Sequence, residues 1–170
     1  MKVYFVWGKR SALISALLML CAAAVRCFAY LGGDYGIWFT LSQIILPFLT
    51  IFIFIVAAAL RNLLISAVAV LLGVLFFIFK ALTFDSLLHT ILCIVLYLLV
   101  LSLYCLTVIG VIKTNIPLVL AFALPLGEHV VQDIIEIILG ADINGCLPEL
   151  SVLLIMGALL CVALGLKRKN

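Results

Sequence analysis

The run IWFTLSQIILPFLTIFIFIVAAAL, from Ile37 to Leu60, decides the class of this protein. It holds no charged side chain and exceeds the ~20 apolar residues that a helix needs to cross the hydrocarbon of a bilayer. Arg61-Asn62 closes it, and a second apolar run, Leu63–Lys80, begins at once. Two such runs separated by a pair of polar residues read as a hairpin of membrane helices. Outward from it, the same reading gives spans at about 11–31, 85–112, 116–139 and 148–166, flanking those at 37–60 and 63–80. The sequence thus predicts an all-α fold: one polytopic membrane helix bundle over residues 1–170, with six transmembrane helices.

Composition supports this independently. Of 170 residues, 69% are hydrophobic and 10% charged, with mean hydropathy +1.52. A soluble domain of this length has too little interior to hide so much apolar surface. The net charge of +3, with no basic stripe interleaved with aromatics, points away from nucleic acid. The six cysteines show neither CxxC nor zinc-ribbon spacing and read as small packing residues. Lys9-Arg10, Ser11–Leu20 and Ala22-Ala23-Ala24 also outline a cleavable signal peptide. The run stays apolar to Leu31 apart from Arg26, however, and is read as a span.

Basic residues set the orientation. With the N-terminus inside, Lys2, Lys9, Arg10, Arg61, Lys113, Lys167, Arg168 and Lys169 all fall on the cytoplasmic side, leaving Arg26 and Lys80 for the other. This is a positive-inside bias, and it places both termini in the cytoplasm of a bacterium whose inner membrane holds the chain. The acidic residues Asp34, Asp85, Glu128, Asp133, Glu136, Asp142 and Glu149 then lie outside or in the outer half. Helix 5 is the difficult span. Ile116–Gly127 covers only about 18 Å at helical rise, so Glu128–Leu139 is needed as its outer half. There Glu128, His129, Gln132, Asp133 and Glu136 fall within an arc of about 140°.

Ionisable groups at membrane depth normally face the bundle interior, a wet cavity or each other. Arg26, Asp85, His89, Glu128, His129, Gln132, Asp133 and Glu136 reach compatible depths in the outer half and form the candidate binding set. Asp85/His89 and His129/Asp133 are each four apart on one helical face. Three readings follow. The cluster is an internal salt-bridge network, with Arg26 neutralising Glu128 or Asp133, Asp85 capping helix 4 and Glu149 complementing the dipole of helix 6. Alternatively it is an outward-facing site for a polar small molecule. Thirdly, His89, His129, Asp85 and Asp133 could hold zinc, although no HExxH signature supports it.

Two prolines add local detail. Pro125 frees the Ala121 carbonyl, so helix 5 is either kinked there or broken before Glu128, as discontinuous transporter helices are. Pro47 likewise frees the Gln43 carbonyl, beside Ser42. Ala12-x-x-x-Ala16 allows close helix approach, and Trp7, Tyr30, Tyr35 and Trp38 are read as an interfacial aromatic belt. No GxSxG, P-loop or GxGxxG occurs, so nucleophilic catalysis and nucleotide binding have no motif behind them.

In this topology, and in Ala12-x-x-x-Ala16, the chain resembles the substrate-binding S-components of energy-coupling-factor vitamin transporters. That resemblance implies an outward-facing ligand pocket and a coupling surface on helix 1, though helix 1 lacks a longer small-residue surface. The sequence reading is a small-solute binding or transport subunit without a cofactor. A structural or partner subunit of a membrane complex, and an intramembrane metal enzyme, are the alternatives.

Overall fold

The computed structural model describes residues 5–82, 87–140 and 143–168, without the side chains at 77, 80–82, 87–90, 92–93, 128, 132–133, 136 and 143–146. The fold is all-α. Helix α1 is Lys9–Ala29, α2 Ile37–Leu60, α3 Leu63–Leu82, α4 Leu87–Ile109, α5 Ile116–Ile138 and α6 Ile143–Gly165. Each helix packs on its neighbour in sequence, and α6 closes back on α1 through the most extensive contact in the molecule. The helices therefore form a ring.

A two-stranded antiparallel ribbon ties the ring shut. Strand β1, Phe5–Trp7, pairs with β2, Leu166–Arg168, in the register Val6 opposite Lys167. Gly8 N–H extends the pairing to the Gly165 carbonyl at 3.0 Å. The approach is close because Gly165 lacks a Cβ: one built there would fall 2.2 Å from Ser11 Cβ. Trp7, expected in an aromatic belt, is instead fully buried beneath the ribbon, edge-on to Phe54 of α2 at 5.6 Å. The ribbon covers it, a feature that hydropathy alone does not signal.

The same end of the bundle carries two tight turns. Arg61, at φ 51°, ends α2, with Asn62 N–H bonded to the Ala57 carbonyl and Arg61 N–H to the Ala58 carbonyl. Gly110, at φ 85°, ends α4 with the same pair of bonds one turn back. Both are Schellman closures, and the first places an arginine where glycine would be less strained. Asn62 Oδ1 then caps α3 by accepting from Leu64 N–H at 2.9 Å. Asn115, at the start of α5, donates to the Ala163 carbonyl of α6 at 2.9 Å. Lys9, Arg10, Arg61, Lys113, Lys167 and Arg168 thus share the ribbon end.

Between the ends, apolar side chains fill the ring. Phe54, Val70, Val100, Tyr104, Leu118, Ile155 and Val162 belong to one core. Ser66 hydroxyl donates to the Leu63 carbonyl at 2.8 Å, so its hydrogen bond with the Tyr104 hydroxyl uses the tyrosine proton. The outside is equally apolar: Leu13, Phe52, Val68, Val95, Leu124 and Leu164, one from each helix, are exposed. Among the described residues, α1, α2 and the Leu147–Gly165 part of α6 are long and apolar enough to cross a membrane. Helix α5 runs unbroken through Pro125, so the helix is not discontinuous before Glu128.

Candidate functional site

The buried residues of α1 are Ala12, Ser15, Met19, Ala22 and Arg26. Their alternating spacing of three and four is that of a packing seam, so the periodicity that seats α1 in the ring also carries a guanidinium into it. Arg26 is 1% exposed. Taking a cation out of water costs several kcal/mol unless its surroundings compensate.

The surroundings do so on three sides. Cζ of Arg26 lies 4.8 Å from the centroid of Phe76, within cation–π range. Tyr30, its ring 5.7 Å away, presents its hydroxyl to the guanidinium. Nη1 donates to the Gln43 carbonyl of α2. That carbonyl is the one Pro47 deprives of its usual N–H donor. Helix α2 accommodates the proline by widening: Thr40–Ile45 is π-helical, and Leu46 N–H reaches back five residues to the Leu41 carbonyl. An arginine on one helix thus satisfies a carbonyl that a proline has freed on another. A further donor, Nε, is buried and has no hydrogen-bond partner among the described residues.

Arg26 sits on the wall of a cavity of about 650 Å³, a size typical of small-molecule sites. The cavity opens at the end opposite the ribbon. Helix α2 supplies Trp38, Phe39, Leu41, Ser42, Gln43, Ile45, Leu46 and Leu49, α3 supplies Phe79, and α6 supplies Pro148, Glu149 and Val152. Phe76, Val152 and Met156 form a small cluster below it. The walls are chiefly apolar, with polarity confined to Arg26, Tyr30, Ser42, Gln43 and Glu149. Ser42 hydroxyl is engaged with the Trp38 carbonyl at 2.8 Å. Glu149 is half-buried, and its charge acts on Arg26. It heads a seam on α6 of the same spacing as that on α1: Glu149, Val152, Met156, Leu159, Ala163.

Of the residues expected to form a site, Arg26 lines this cavity. His129 is half-buried on α5 and makes interactions of its own. Glu128, Gln132, Asp133 and Glu136 lie on α5 and His89 on α4, with their side chains outside the described residues, as is Asp85 altogether. Among the described residues no group of three or more His, Cys, Asp or Glu side chains could hold a metal ion. The residues that sequence reasoning passed over are Tyr30, Ser42 and Glu149. The sequence assigns Glu149 to the helix dipole, yet its phase with Val152 and Met156 turns it inward.

What the arrangement provides is a greasy enclosure with a buried guanidinium in its wall, which suits binding. Comparison with protein-family models, with curated proteins and with solved structures finds no match to this chain.

Proposed function

We propose that the chain crosses a membrane six times with both termini in the cytoplasm, and that it binds a small solute in the outward-facing cavity as a binding or transport subunit. Three apolar helices and the exposed apolar residues on all six support the membrane part. The gathering of Lys9, Arg10, Arg61, Lys113, Lys167 and Arg168 at the ribbon end supports the orientation. The observation that carries the binding reading is the buried Arg26, with an unpartnered Nε among the described residues, on the wall of a 650 Å³ cavity. Each unmet buried donor costs about 1–3 kcal/mol, which a ligand oxygen on Nε would recover. Trp7 Nε1, away from the cavity, is also buried without a partner among the described residues, so it is the cavity beside Arg26 that sets this donor apart.

The test is a thermal-shift screen of the purified protein against vitamins and amino acids, repeated on Arg26→Gln. Binding predicts a ligand that raises the melting temperature of the wild type and leaves the variant unmoved. A silent screen would leave Arg26 as a structural pin for α2 and favour a partner-subunit role.

A further inference from the structure

The charged end of the cavity is small and its approach is apolar. Trp38, Leu41, Ile45 and Leu49 line it while being 79%, 44%, 50% and 44% exposed. Their spacing places them on one face of α2, so one flank of the cavity is continuous with the outer apolar surface of the bundle. A fully hydrated solute gains nothing from such a flank. A hydrocarbon chain does, because every methylene laid along it leaves water.

At the inner wall the guanidinium lies over the ring of Phe76, and the Gln43 carbonyl occupies Nη1. The in-plane Nε edge is the donor with no partner among the described residues. Charge-assisted bonds to carboxylate or phosphonate oxygens are what that edge makes best. Glu149 is the half-buried member of the pair and Arg26 the fully buried one. Glu149 lines the same cavity and its charge acts on Arg26, so an acidic head competes with this carboxylate for the guanidinium.

We infer that the ligand of this cavity is a single-chain anionic amphiphile, entering along the exposed face of α2 with its acidic head on Arg26 and its tail against Trp38, Leu41, Ile45 and Leu49. This rests on the reading of the cavity as a ligand site. It differs from a water-soluble vitamin or amino acid in both route and chemistry.

Three probes of one chain length separate the possibilities. The full-length protein in phosphatidylcholine nanodiscs is titrated with ω-bromoundecanoate, ω-bromoundecanol and ω-bromoundecyltrimethylammonium, and tryptophan quenching is read. Trp38 lines the cavity, while Trp7 lies buried at the other end as an unquenched reference. The expected result is saturable quenching by the carboxylate, about tenfold tighter than by the alcohol, and displaced by unbrominated undecanoate. Arg26→Lys keeps the preference for the acid and Arg26→Gln abolishes it. Equal binding of acid and alcohol, tighter binding of the ammonium, or quenching that never saturates overturns the inference, and each is readable on the wild type alone. A vitamin or amino acid that binds through Arg26 and is not displaced by undecanoate overturns the amphiphile while leaving the solute site standing. Silence with every probe and throughout the screen removes both.

Discussion

Pro47 and Arg26 lie on different helices, yet the structure makes them energetically one unit, and a double-mutant cycle measures this. Replacing Arg26 by Met keeps an unbranched stem but ends short of the guanidinium and withdraws Nη1 from the Gln43 carbonyl. An unpaired buried carbonyl costs about 1–3 kcal/mol, while interhelical side-chain hydrogen bonds in membranes average nearer 0.6 kcal/mol and reach about 1.7. Taking these together, the hydrogen-bond part of Arg26→Met is about 1 kcal/mol. In a Pro47→Ala background, residue 47 regains an N–H that can reach the Gln43 carbonyl as α2 returns to α-helical bonding. The same Arg26→Met should then lose only its contacts with Phe76 and Tyr30. The cycle should show a coupling of about 1 kcal/mol, with Arg26→Met milder in the Pro47→Ala background. Reversible unfolding in mixed micelles, followed through buried Trp7, supplies the four free energies. If the two substitutions simply add within about 0.3–0.5 kcal/mol, the usual error of additivity, then the proline and the arginine are independent and the account of the π-helical segment is wrong.

Other substitutions probe the ring and its orientation. Gly165→Ala puts a Cβ 2.2 Å from that of Ser11, and forcing α1 from α6 should cost about 1–3 kcal/mol; Ser11→Gly in the same chain should recover most of it, as thermal denaturation would show. Ser66→Ala strands the Tyr104 hydroxyl proton, whereas Tyr104→Phe strands only an acceptor on Ser66. Among unfolding free energies, the first should therefore lose about 1 kcal/mol more in hydrogen bonding than the second. Six spans with cytoplasmic termini predict that a cysteine at Asp34 reacts with an impermeant maleimide on intact cells, and that one at Lys113 reacts only after permeabilisation. Both reacting from the same side would overturn the topology.

The six helices are readable because each is a long apolar run bounded by polar punctuation; the turn at Arg61-Asn62 falls where the sequence places it, while the one expected at Lys113-Thr114-Asn115 opens three residues earlier, at Gly110. Helix ends shifted: α1 starts at Lys9 and α6 at Ile143, because helical hydrogen bonding continues past the end of the apolar run that hydropathy marks. The ribbon was not legible, since three residues per strand carry no periodic signal and the pairing joins opposite ends of the chain. For the site, the sequence held more than composition revealed. Pro47 marked the Gln43 carbonyl as needing a donor, and Arg26 was the buried cation at that depth. The link between them needed the neighbourhood of α1 and α2. The seam spacing on α1 and α6 marks Arg26 and Glu149 as inward-facing, but it shows only when the small residues Ala12, Ser15 and Ala22 are counted as core. A hydropathy scale gives serine and arginine no such role.

Closure of the ring also has a consequence in time. The most extensive contact of α1 is with α6, which is made well after it. At ordinary synthesis speeds of about 5–20 residues per second, the interval between completing the one and the other is on the order of ten seconds. Through that interval the Arg26 face of α1 has α2 beside it but lacks its principal neighbour, and it carries a cation that lipid does not tolerate. In the proposed membrane topology, newly made α1 must therefore be sheltered at the insertion machinery, or lie shallow, until α6 arrives to complete its berth.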